Sequence, residues 1–131
     1  MGLDMYLTGS KYLLKDHDNP DATPREDGFR LKEKHLELGY WRKHPNLHGY
    51  IVQTFADGVD ECQTIELAAD QMKTIIEAVK NKALPHTEGF FFGESDGSED
   101  KETIQIFEAA IKWLNDETDG EWRSVFYRAS W

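Results

Sequence analysis

The chain has 131 residues, 39% of them hydrophobic, and carries 25 Asp and Glu against 15 Lys and Arg for a formal net charge of −10. That is the length of one domain, enough to fold around its own core without disulfides or metal, and an aromatic content of 12% excludes a disordered chain. The acidic balance argues against direct binding to nucleic-acid phosphates and against anionic membranes, since both call for clustered Lys and Arg.

In chain order, Met1-Gly2-Leu3-Asp4-Met5-Tyr6-Leu7 lacks a basic n-region and a long apolar stretch, so no signal peptide is expected. Leu3, Met5 and Leu7 alternate with Asp4 and Tyr6, which is strand periodicity, and Tyr12-Leu13-Leu14 continues or returns that strand. Lys15 to Glu33 reads as a long polar loop, broken by Pro20 and Pro24. His35 to Trp41 alternates again and reads as a strand. Pro45 suits the first turn of a helix, and Leu47, Tyr50, Ile51, Thr54 and Phe55 follow at helical spacing, predicting a helix over Pro45 to Phe55.

Cys62 to Leu67 reads as a short strand with Cys62, the one cysteine of the chain, buried in it. A single cysteine allows no intramolecular disulfide, which fits a reducing, cytoplasmic setting. Ala69 to Ala83 is a clear helix with Met72, Ile75, Ile76 and Val79 on its apolar face, and Pro85 stops it. Gly89-Phe90-Phe91-Phe92-Gly93 reads as a central strand covered on both faces. Asp100 to Asn115 is a second strong helix with Ile104, Phe107, Ile111 and Leu114 on one face, and Glu121 to Trp131 alternates as a final strand. The expected fold is α+β: a single domain over 1–131, one mixed β-sheet with about three helices packed mainly on one face. No run reaches the ~20 apolar residues of a membrane span.

Several strings in one order carry a resemblance: the start Met1 to Leu7, Tyr40-Trp41-Arg42-Lys43 with His48, Leu84-Pro85 followed by Gly89-Phe90-Phe91-Phe92-Gly93, Lys101-Glu102-Thr103-Ile104, and the terminal Ser130-Trp131. On these pieces, which span nearly the whole chain, it resembles a family of small proteins from bacteriophages and prophages. Members of that family sometimes bear the label phosphoglycerate kinase. Such a kinase needs two domains and a nucleotide site, and this chain is too short for them. The resemblance implies a phage accessory protein acting in the cytoplasm of a bacterial host, and it brings no catalytic residues with it.

The first candidate site is Tyr40, Trp41, Arg42 and Lys43 with His48. No acidic residue falls between Leu38 and Ala56. Arg42 and Lys43 precede a helix N-terminus, where free N–H groups and the helix dipole suit an anion. Arg42 offers a planar fork for phosphate or carboxylate, and Tyr40 and Trp41 offer rings for stacking on a base. The plainer reading is that one of the two rings packs in the core while Arg42 pairs with an acid. His44 and His48 stand four apart, a spacing that can hold a metal on a helix, but Pro45 keeps His44 out of helical geometry, so no metal site is expected.

Glu94 to Asp100 has the acids and glycine of a calcium loop without the register of one, and reads better as a solvated loop. Asp16-His17-Asp18 has no nucleophile beside it. No motif calls for a cofactor, and no complete catalytic constellation is present. The leading expectation is a non-enzymatic binding protein that engages a host protein, an acidic inhibitor of host defence being the most economical version. The alternative is a binder of, or enzyme on, a phosphorylated metabolite or nucleotide at Tyr40 to His48. A structural phage protein ranks last, because no oligomerisation motif occurs.

Overall fold

A computed structural model of the chain describes residues 2–13, 24–87 and 97–131. The expected strand at Gly89–Gly93, the first three residues of the acidic loop (Glu94, Ser95 and Asp96) and the Asp16-His17-Asp18 string lie outside the described residues.

Strand alternation builds the sheet. β1 (Asp4–Tyr12), β4 (Glu33–Arg42) and β6 (Trp122–Ser130) are long strands, and β5 (Ile65–Glu66) is a short one. The sheet order is β4-β1-β6-β5, and every pairing among the described residues is antiparallel. Within the stretch read as loop, β2 (Arg25–Glu26) and β3 (Phe29–Arg30) form a small separate hairpin. Its turn is Asp27-Gly28 with φ of 53° and 85°, the left-handed pair that a two-residue hairpin needs and that Asp-Gly supplies.

Three helices complete the α+β domain: α1 (Pro45–Phe55), α2 (Ala69–Lys80) and α3 (Asp100–Leu114). The amide of Ala68 donates to the side chain of Gln71 at 2.8 Å, satisfying one donor at the start of α2. Asp70 in the first turn of α2 and Lys80 in its last complement the dipole. α2 packs on α3, and α3 packs on β4 and β6. The alternate residues Leu3, Met5 and Leu7, Val125, Tyr127 and Ala129 meet Met72, Ile75, Val79 and Phe107 in one buried cluster. Burying a side chain the size of Phe107 contributes roughly 1.5–3 kcal/mol. Trp41 stacks on Phe107 at 5.5 Å, and its indole N–H donates to the buried Thr103 hydroxyl at 2.9 Å.

Two glycines bring α3 close to the sheet. A Cβ on Gly39 would fall 2.5 Å from Ile106, and one on Gly9 would fall 2.8 Å from Trp113. The buried face of α3 thus centres on Thr103, Phe107 and Ala110, with Ile104, Ile111 and Leu114 half-buried at its margins. Cys62 is not in a strand. It sits half-buried in a turn at φ 57°, because the Gln63 side chain bonds the backbone of Val59 and Glu61 and holds the chain in a local loop until Ile65.

Candidate functional site

The helices occupy one face of the sheet, and among the described residues no helix packs on the other. Solvated faces of antiparallel sheets are ordinarily polar. This one sets five aromatic rings, Tyr6, Tyr12, Tyr40, Trp122 and Phe126, among its polar residues. The register lays it out in rows across the strands, since directly paired residues share a face. Glu33, Tyr12 and Trp122 form the first row, His35, Ser10 and Ser124 the second, and Glu37, Thr8, Phe126 and Glu66 the third. Tyr40, Tyr6 and Arg128 form the fourth, and Arg42, Asp4 and Ser130 the fifth.

Tyr12 and Trp122 stack with ring centroids 5.7 Å apart and planes 15° from parallel, yet Trp122 keeps 62% of its surface exposed. With Phe126, Ser10, Ser124, Thr64, Glu33 and His35 they line a cavity of about 490 Å³. Tyr6 and Tyr40 pack at 5.3 Å in the fourth row. The Tyr40 hydroxyl donates to Asp4 at 2.5 Å, and that bond to a carboxylate raises the Tyr40 pKa above the ordinary phenol value. Arg42 sits 3.6 Å from the same carboxylate.

The five candidate residues from the sequence do not share one surface. Tyr40 and Arg42 stand on the open face, while Trp41 is buried against Phe107. Lys43 is exposed at φ 57°, its amide donating to the carbonyl of Leu3 at 2.8 Å. His48 lies under the sheet at 2% exposure. There its Nε2 lies 3.0 Å from both carboxylate oxygens of Asp60, and its Nδ1 lies 2.6 Å from the Tyr127 hydroxyl. Asp60 accepts only, so in the neutral ring Nε2 carries the proton and Nδ1 accepts from Tyr127. Burial, and then the charge of Asp60, pushes the Tyr127 pKa well above the ordinary value. An Asp–His–Tyr chain can relay a proton in principle, but here Tyr127 is 1% exposed. The arrangement ties α1 to β6 and to the loop after α1.

No family model, curated protein sequence or solved structure matches the chain. Among the described residues no three His, Cys, Asp or Glu side chains converge as metal ligands, and no helix is long and apolar enough to cross a membrane.

Tyr12, Trp122 and Phe126 are open-face residues that the sequence does not single out as surface. The signal available was their alternation: Trp122, Ser124, Phe126 and Arg128 share one face of β6, and Val125, Tyr127 and Ala129 the other. With rings on both faces, periodicity alone does not say which face is inside.

Proposed function

We propose that this chain is a phage- or prophage-encoded accessory protein that works in the host cytoplasm by binding a host protein through the open face of its sheet, and that the binding inhibits a host defence system. The observation that carries the binding reading is the ring-bearing open face. Tyr, Trp and Arg are the residue types that dominate binding energy at protein interfaces, and Tyr6, Tyr12, Tyr40, Trp122, Arg42 and Arg128 stand there together. The phage origin and the anti-defence role rest on the resemblance and on the net charge of −10.

A photo-crosslinking residue placed in bacterial cells at Tyr40 or Trp122, and on the helix side at Glu77 or Glu108, tests the reading. A discrete adduct from the open-face positions alone is expected. Adducts from the helix side alone would overturn it.

The second reading is a phosphorylated small ligand. The observation favouring it is a cavity of about 320 Å³ lined by Tyr6, Thr8, Arg128 and Ser130, one row from Arg42. Titration calorimetry with nucleotides and inorganic phosphate, repeated on Arg128→Ala and Arg42→Ala, tests it. Heat of binding that both variants lose supports the ligand, and no heat with the parent protein removes it.

A further inference from the structure

The two ends of the open face differ in charge. The arginines lie in the rows of Tyr40 and Arg42, and Arg42 is already beside Asp4. The other end combines Tyr12, Trp122 and Phe126 with the carboxylates of Glu33, Glu37 and Glu66. His35 is the one basic side chain in those three rows, and it lies 3.3 Å from Glu33.

We infer that this acidic, aromatic end is a receptor for the cationic side chains of a basic protein segment, arginine foremost, with Trp122 as the stacking platform. The inference rests on the reading of the open face as the binding surface and states the chemistry of the partner.

The physical case has three parts. A cation over an indole face is held by the ring quadrupole, Trp being the best ring for it. A guanidinium is planar, stacks on rings and carries five donors. Around Trp122 those donors meet acceptors: the Glu33 carboxylate and the hydroxyls of Ser10, Ser124 and Thr64 line the same cavity. The same rings would suit stacked nucleic-acid bases, but such platforms run in basic grooves that hold the phosphates. Here Glu33, Glu37 and Glu66 border the rings, and the chain's field attracts cations and repels anions.

The test is fluorescence anisotropy with a labelled nona-arginine peptide and a labelled Gly-Ser peptide of equal length. Trp122→Ala leaves the net charge unchanged, so attraction by charge alone is preserved in that variant. The parent protein is expected to bind the arginine peptide and ignore the Gly-Ser peptide. Trp122→Ala should weaken binding roughly threefold to thirtyfold, the range of one cation–π contact from exposed to desolvated. Glu33→Gln should weaken it severalfold, and Glu102→Gln on α3 should leave it unchanged. Parent-like affinity in Trp122→Ala, or equal losses in Glu33→Gln and Glu102→Gln, would overturn the inference by showing diffuse charge attraction. No peptide binding, with a cross-linker at position 122 still capturing a discrete partner, would overturn the cationic chemistry and leave the open-face reading standing. No adduct at 122 and one on the helix side would overturn both.

Discussion

The Tyr127 hydroxyl lies 2.6 Å from Nδ1 of His48 in the interior, joining the last strand to the first helix. Both side chains are almost wholly out of water. Tyr127→Phe keeps the ring and removes the bond, so the imidazole loses a polar partner where water does not reach. The expected loss is roughly 1–3 kcal/mol, the cost of depriving a buried polar atom of its partner. Denaturant midpoints read it. A loss below about 0.5 kcal/mol would mean that the bond does no stabilising work.

Alkaline pH should act through the same residue. The Tyr127 pKa is raised in the folded state by burial and by Asp60, so the protonated hydroxyl is favoured by folding. Its contribution is therefore complete below the unfolded phenol value of about 10 and is lost as pH rises through the higher folded value. In a spectrophotometric titration one tyrosine should ionise only as the chain unfolds, and stability should fall above about pH 10. In Tyr127→Phe that late tyrosine should be missing.

Gly39 carries the close approach of α3. Ile106 would lie 2.5 Å and the Trp41 ring 3.1 Å from an added Cβ. Gly39→Ala must therefore push α3 or Trp41 aside, at a cost of roughly 1–3 kcal/mol for an overpacked core. Thermal and denaturant melts check this. Gly28→Ala at the tip of the hairpin is the contrast, since nothing lies within 4 Å of its added Cβ and only its φ of 85° opposes the change.

The elements that the sequence showed plainly were those whose signals are local. Pro45 and the spacing of Leu47, Ile51 and Phe55 gave α1 its observed bounds, and Met72, Ile75, Ile76 and Val79 are the buried face of α2 as expected. In Cys62 to Leu67 the expected short strand is there as Ile65–Glu66, but its first residues are not, because Gln63 folds back on Val59 and Glu61 and nothing in the local residue pattern reveals that. The candidate site was half legible. Tyr40, Trp41, Arg42 and Lys43 are neighbours in sequence, but a strand sends successive side chains to opposite faces, so Trp41 went inside while Tyr40 and Arg42 stayed out. Their companions Asp4, Tyr6 and Arg128 come from β1 and β6, and the order β4-β1-β6 that assembles them is a property of the pairing.

The docking of a basic segment on the open face is read most directly from the indole N–H signals of the four tryptophans in a ¹H–¹⁵N spectrum. Trp41 donates its indole N–H to Thr103 in the core, and Trp113 lies under the Arg123 guanidinium at 4.9 Å, whereas Trp122 stands exposed over Tyr12. On addition of an arginine-containing peptide the Trp122 signal is expected to move progressively and saturate, with Trp41 and Trp113 unmoved. A Trp122 signal that stays in place while the peptide binds, or that moves only together with Trp41, would contradict the placement of the binding site on this face.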